Sequence, residues 1–180
     1  YDILIVKTNC FGETEWMKTV SNAYSDFGYD ILPLPSGNYF VVANVSNDPN
    51  YWKMISHQGQ FILLDSIGNE VSRRDCKIGN STRLNKVIET ADGSLLISGS
   101  DDDGNFILKT NIFGPQFWIK RMALSAISKH DKNYIACGTT KISNKGAIYL
   151  VEMTTAGDTL WTKSFDKNID AGASFITTLS

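Results

Sequence analysis

The chain repeats itself, and an internal repeat restricts the fold more than any single motif does. Four segments superpose on a glycine. They are Ile5-Val6-Lys7-Thr8-Asn9 running to Gly12, Phe61-Ile62-Leu63-Leu64-Asp65 running to Gly68, Ile107-Leu108-Lys109-Thr110-Asn111 running to Gly114, and Leu150-Val151-Glu152-Met153-Thr154 running to Gly157. The glycines stand 56, 46 and 43 residues apart. Four positions after the glycine comes a tryptophan in three copies (Trp16, Trp118, Trp161), and Ser72 takes its place in the second. A second register runs beside the first. Ser36-Gly37-Asn38-Tyr39-Phe40-Val41-Val42-Ala43 matches Asp92-Gly93-Ser94-Leu95-Leu96-Ile97-Ser98-Gly99, and both match Asp131-Lys132-Asn133-Tyr134-Ile135-Ala136-Cys137-Gly138. Each is a turn dipeptide feeding a short strand that ends on a small residue. Glycine accepts the positive φ of a tight hairpin. Lys132 breaks that pattern, so its turn is expected to be of another type or strained.

Between these anchors lie short strands, clearest at 86–90, 94–100, 106–111 and 117–122. No window beyond about ten residues keeps apolar spacing at i, i+3, i+4 and i+7, so helix is not expected. Four strands in a period of roughly 40–50 residues is the arithmetic of a β-propeller blade. A β-sandwich would not need the glycine-to-tryptophan beat. The expected fold is therefore all-β, a β-propeller of four-stranded antiparallel blades with about four blades covered. Residues 1–20 supply the last two strands of a first blade. Blades at 21–75, 76–122 and 123–166 follow, and 167–180 supplies the first strand of another. Both ends interrupt the pattern, so the chain is expected to be part of a longer protein whose ring has roughly six to eight blades.

Composition narrows the partners. Hydrophobic residues make up 42% and charged residues 20%, which excludes collagen-like and low-complexity chains. Lys plus Arg number 17 against 19 Asp plus Glu, a formal net charge of −2, so no nucleic-acid partner is expected. The longest apolar runs are four residues, far short of the ~20 that a membrane-spanning helix needs. Cys10, Cys76 and Cys137 form no CxxC pair, and His57 and His130 lie far apart, so no metal site is expected. Free thiols, at least one of them buried, are the favoured state. One long-range disulfide is the alternative.

A function would sit where the repeat varies. The turns after the first and third strands of each blade are short and repetitive, whereas the opposite connections differ. From Ala43 to Phe61 is 18 residues, against 8 from Gly99 to Ile107 and 12 from Gly138 to Leu150. The longest carries Tyr51, Trp52, Lys53 and His57, an aromatic and cationic set of the kind found at contact hot spots. A competing reading folds Trp52 back over the blade edge, or has part of this stretch extend the strands on either side. Asp101, Asp102 and Asp103 occupy the next such turn; three carboxylates around Gly104 suit Ca²⁺ by chemistry, but the EF-hand spacing is missing, and a solvated hairpin tip is the preferred reading. Arg83, in the connection between blades, completes the candidate face. No catalytic residues are assigned: His130-Asp131 stands in a short turn, no Gly-x-Ser-x-Gly motif accompanies it, and no facing carboxylate pair can be nominated.

The Lys-Thr-Asn-x-x-Gly-x-x-x-Trp and Asp-Gly beats, with Thr155-Ala156-Gly157-Asp158-Thr159-Leu160-Trp161-Thr162-Lys163 the closest stretch, resemble the repeats of secreted or lipid-anchored propellers of the Bacteroidetes type. They are also similar to the tryptophan-docking repeats of quinoprotein-type propellers and of propellers that scaffold outer-membrane assembly. The resemblance implies an extracytoplasmic, non-enzymatic protein-binding or scaffolding module, an accessory component of an outer-membrane assembly. The ligand set of a quinone-dependent enzyme is missing, so no cofactor is expected. Carbohydrate is the alternative ligand, and a fragment of a carbohydrate-acting propeller enzyme with its catalytic groups in other blades is the alternative function. In either case Trp16, Trp118 and Trp161 are expected to pack against a neighbouring blade while each indole N–H finds a carbonyl.

Overall fold

The computed structural model describes residues 1–21, 25–46, 57–113, 117–142, 145–165 and 172–178. All of the regular structure among them is β. In chain order the strands are β1 (Ile3–Thr8), β2 (Thr14–Val20), β3 (Ser25–Pro33), β4 (Tyr39–Ser46), β5 (His57–Leu64), β6 (Glu70–Cys76) and β7 (Arg83–Glu89), then β8 (Leu95–Asp101), β9 (Gly104–Thr110), β10 (Trp118–Arg121), β11 (Ala126–His130), β12 (Asn133–Ile142), β13 (Lys145–Met153) and β14 (Thr159–Phe165). They make one two-stranded sheet, β1-β2, and three four-stranded sheets, β3-β4-β5-β6, β7-β8-β9-β10 and β11-β12-β13-β14. Each strand pairs with its neighbour in sequence, and connections this short permit only antiparallel pairing. The expected all-β, four-stranded antiparallel sheets are present, and the four strands at 86–90, 94–100, 106–111 and 117–122 are β7 to β10.

The chain divides into two compact units, Tyr1–Leu84 and Asn85–Ser180. In the first, Ile3, Val20, Val41, Ala43, Ile62 and Leu64 form one buried cluster that joins the β1-β2 sheet to the β3–β6 sheet. In the second, Leu96, Ile107, Leu124, Ile127, Tyr134, Ala136, Val151 and Met153 do the same for the last two sheets. The inner strands of the β3–β6 and β7–β10 sheets are covered on both faces, which explains their unbroken apolar runs, Phe40-Val41-Val42-Ala43 and Leu95-Leu96-Ile97. The outer strands read polar, and β14 is exposed along its whole length.

Three of the four repeated glycines share one turn geometry; Gly114 lies outside the described residues. At residues 9–13, 65–69 and 154–158 the first residue's N–H donates to the fifth residue's carbonyl, and the glycine N–H donates back to the first residue's carbonyl. The same pattern closes 34–38 and 90–94. It is the three-residue hairpin, a type I turn followed by a left-handed residue, which is why glycine stands fourth with φ between +74° and +85°. Each of the first three turns also carries a register shift just before it, one residue further back in the ladder. The first position is braced from within. Asn9 Oδ1 accepts the N–H groups of Phe11 and Glu13, and Asp65 Oδ1 accepts those of Ile67 and Asn69. Those amides hold the Asp65 carboxyl below its usual range.

The 131–132 turn is the exception that the sequence flags. His130 pairs directly with Asn133, so the loop has two residues rather than three. The positive φ falls on Asp131, at +52°, the only non-glycine residue in that region among those described. One residue fewer moves the left-handed position forward, and aspartate tolerates it better than most side chains. The small residues expected to end the second strands, Ala43, Gly99 and Gly138, instead lie inside β4, β8 and β12, and Gly138 has a packing cause. A Cβ on Gly138 would lie 1.8 Å from the Ala123 carbonyl oxygen, because the connection into β11 crosses there.

The tryptophans hold sheet to sheet. Trp16 on β2 lies over the 65–69 turn of the next sheet, with Nε1 donating to the Ser66 carbonyl at 3.2 Å and its ring 5.5 Å from Tyr39. A Cβ on Gly68 would meet the Trp16 ring at 2.9 Å and Lys18 Cγ at 2.8 Å. Lys18 then donates to Asn69 Oδ1 at 2.9 Å. Trp118 repeats this on the 154–158 turn: a Cβ on Gly157 would meet its ring at 2.8 Å, and Lys120 donates to the Gly157 carbonyl at 2.6 Å and to Asp158 at 3.2 Å. Residues two apart on a strand share a face, so Trp-x-Lys is a two-pronged clamp on a glycine turn. Trp161 departs from the expectation. It is 39% exposed, and its N–H goes to the carboxylate of Glu152, directly opposite on β13, rather than to a carbonyl of another sheet.

Candidate functional site

An antiparallel meander sorts its connections by end. In the four-stranded sheets the glycine hairpins and the 131–132 turn lie at one end, and the β4–β5, β8–β9, β12–β13, β6–β7 and β10–β11 connections lie at the other. Of the sequence-nominated residues, Tyr51, Trp52 and Lys53 lie outside the described residues. His57, Arg83, Asp101, Asp102 and Asp103 are all at the variable end of their own sheets.

In the first unit the β6–β7 connection folds onto the start of β5. The His57 N–H donates to Ser81 Oγ at 3.1 Å, and the Thr82 N–H donates to the His57 carbonyl at 2.7 Å. Thr82 Oγ1 accepts the Ile78 N–H at 2.9 Å and so closes the loop on itself. The imidazole is 7% exposed, and its Nδ1 has no hydrogen-bond partner among the described residues. Burial first, and then the positive charge of Arg83, hold its pKa below 6.5. The site therefore pairs a neutral, buried imidazole with an exposed guanidinium. Nearby Gln60 is fixed by Asp75, to which its amide donates at 2.9 Å.

In the second unit, Asp101 to Gly104 is a two-residue hairpin. Arg121, from the outer strand β10, grips Asp101 through both oxygens at 2.6 and 2.8 Å and reaches Asp103 at 3.3 Å. The guanidinium holds the Asp101 carboxyl below its usual range. Two of the three carboxylates thus face a cation of the protein itself, which favours the hairpin-tip reading over a calcium loop. No group of three or more His, Cys, Asp or Glu among the described residues is placed to hold a metal ion.

All three cysteines are free. Cys10 is exposed, whereas Cys76 and Cys137 are buried; burial pushes the Cys76 thiol up to about 12 and also raises Cys137. High-pKa buried thiols are poor nucleophiles at neutral pH. No helix among the described residues is long and apolar enough to cross a membrane. Sequence reasoning missed Arg121, Ser81 and Thr82, which organise the two loop ends, and the lysine two residues after each tryptophan. Only the last left a readable signal, the Trp-x-Lys spacing at 16–18, 118–120 and 161–163. No protein-family model matches the chain, and no curated protein matches it.

Proposed function

We propose that the chain is a segment of a β-propeller whose variable end binds a protein partner, without catalysing a reaction, outside the cytoplasm and as an accessory of an outer-membrane assembly. One contrast carries this reading. The hairpin end of the sheets is nearly uniform, whereas at the opposite end the β8–β9 and β12–β13 turns take two residues, the β4–β5 connection takes ten, and the charged groups differ from place to place. Buried His57 of the β3–β6 sheet has Arg83 beside it there, and the β7–β10 sheet carries the Arg121-bound acidic hairpin. Rigid sheets that present irregular, charged connections are the usual layout of a recognition surface. The extracytoplasmic placement rests on the repeat resemblance.

The test compares wild type with Arg83→Glu and Trp52→Ala, at the variable end, and with Lys163→Glu, on the outer strand β14. Binding is measured by pull-down from solubilised outer-membrane extract. The reading expects one species to be retained by wild type and Lys163→Glu and lost with Arg83→Glu, with Trp52→Ala weakening it by about 2 kcal/mol. Turnover of a defined polysaccharide by the purified protein, abolished by Asp102→Asn, would replace it with the carbohydrate-enzyme reading.

A further inference from the structure

The two Trp-x-Lys clamps that close on a glycine turn are built alike but commit their polar groups differently. In the first unit the groups around the ring are all engaged. The Trp16 N–H goes to the Ser66 carbonyl, and Tyr39 stands edge-on to the ring. Lys7, directly opposite Trp16, pairs with Glu15 of its own sheet at 2.7 Å. In the second unit Lys109 holds the place of Lys7, directly opposite Trp118. Tyr134, the counterpart of Tyr39, is buried, with its hydroxyl held at Thr90 and the Ala91 backbone. The Trp118 N–H makes no hydrogen bond among the described residues, and it is not enclosed.

Beside that indole is a cavity of about 320 Å³, whose lining includes Asp92, Ser94, Lys109, Phe117, Trp118 and Thr155. It lies where the hairpin end of the β7–β10 sheet meets the 154–158 turn, so both of its walls are complete four-stranded sheets of one unit. The Lys109 side chain is only 12% exposed. It donates to Asp92 Oδ2 at 2.8 Å and to the Thr155 carbonyl at 3.4 Å, which leaves one ammonium donor open. Asp92 Oδ1 accepts the Thr90 hydroxyl and the Ser94 N–H, whereas Oδ2 accepts Lys109 alone. Lys109 first, and then the Thr90 hydroxyl, hold the Asp92 carboxyl well below its usual range, so it stays an ionised acceptor.

These groups select a neutral ligand. A free anion would lie against Asp92 and a free cation against Lys109, and either contact is repulsive at close range. A hydroxyl avoids both, because it donates to the carboxylate or accepts from the ammonium and the indole N–H. Phe117, 52% exposed, adds an apolar ring to the rim. An aromatic surface beside a few convergent polar groups is the usual make-up of a small-ligand pocket, and this volume is near the lower end of the range for one, about 300–1,000 Å³. A sugar ring carries hydroxyls at its edge and C–H groups on its face, and so matches both.

We propose that the cavity is a saccharide-binding subsite, in which Asp92, Lys109 and the Trp118 N–H hydrogen-bond the hydroxyls of one sugar residue and Phe117 packs on its ring. It belongs to the hairpin end, not the variable end assigned to partner binding, and does not depend on that assignment.

Two-dimensional proton–nitrogen NMR of the 180-residue chain tests it through the indole N–H signals, with Trp118→Phe assigning the one that matters. The probes are the methyl glycosides of glucose, galactose, mannose and N-acetylglucosamine, with acetate and inorganic phosphate in parallel. At least one glycoside is expected to shift the Trp118 signal saturably, with a Kd of about 1 mM or tighter, while the Trp16 signal stays still. Phe117→Ala and Lys109→Met are each expected to weaken that binding about tenfold or more, and Lys163→Glu, on β14, to leave it unchanged. Phe117→Ala removes an exposed ring and should keep the wild-type melting temperature, so its loss of binding is not a loss of fold. No saturable shift with any of the four glycosides overturns the proposal. So does a Trp118 shift caused by acetate or phosphate alone, or sugar binding that Phe117→Ala or Lys109→Met leaves at wild-type strength.

Discussion

Replacing Gly68 and Gly12 by alanine, one at a time, separates what a glycine turn needs from what a docked tryptophan needs. Both residues lie in the first unit, in the same type of turn, at the same φ of +82°. An alanine held in the left-handed region costs about 1–2 kcal/mol, offset by about 0.4–1 kcal/mol because the unfolded chain is stiffer. For Gly12→Ala that is the whole effect, since the added methyl enters open space. At Gly68 the methyl would stand 2.9 Å from two atoms of the Trp16 ring. Lys18 can swing aside, but the indole is wedged between the turn and Tyr39 and must lift off its seat. Overpacking of that kind adds about 1–3 kcal/mol. Gly68→Ala should therefore lose roughly 1–3 kcal/mol more than Gly12→Ala. Urea unfolding followed by far-UV circular dichroism and by tryptophan fluorescence measures both. Gly68→Ala should also red-shift the native fluorescence as the Trp16 ring gains water. Equal losses, with unchanged emission, would refute the clamp as a source of stability.

Gly138→Ala should be far worse than either, by about 3 kcal/mol or more, because its Cβ would collide with backbone at Ala123 that no side-chain rotation can clear; thermal melting of the purified variant checks it. Asn44→Leu should cost about 2–4 kcal/mol in urea unfolding, since the buried amide both donates to the Leu84 carbonyl at 2.9 Å and accepts its N–H at 2.7 Å, and leucine would orphan both. His57 predicts a pH dependence. Its folded pKa lies below its unfolded 6.5, so the unfolded chain binds the proton more readily; stability is full above about 6.5 and falls as pH drops toward the lower folded value. His57→Phe should flatten that part of the stability–pH curve, and an unchanged slope would show that the imidazole is not held neutral.

The sheets are legible in the sequence because their determinants are local. A glycine at the left-handed position of a three-residue turn, and a doubly covered inner strand, each leave a mark within about ten residues. Lys132 was legible as an anomaly but not as a solution: that the turn loses a residue and puts the left-handed φ on Asp131 depends on the ladder bringing His130 opposite Asn133. The candidate site was legible only as positions. Which acids stay open to solvent is decided by Arg121, 20 residues from Asp101 in sequence and adjacent only once β10 pairs with β9. His57 reads as a loop residue, yet the 77–82 connection buries it, and no spacing rule announces that.

Ser72 shows how the repeat changes when one prong is lost. It occupies the tryptophan position opposite Leu63, and its strand carries Arg73 and Arg74 where the others carry one lysine. Both cations have partners in their own sheet. Arg73 pairs with Glu70 at 2.6 Å, and Arg74 lies 4.9 Å from the Phe61 ring. This is the one step of the repeat without a tryptophan. The division of the chain into two compact units falls just beyond that strand, after Leu84. The tryptophan beat is thus more than a fold signature: Trp16 fastens the β1-β2 sheet to the 65–69 turn within the first unit, and Trp118 fastens β10 to the 154–158 turn within the second.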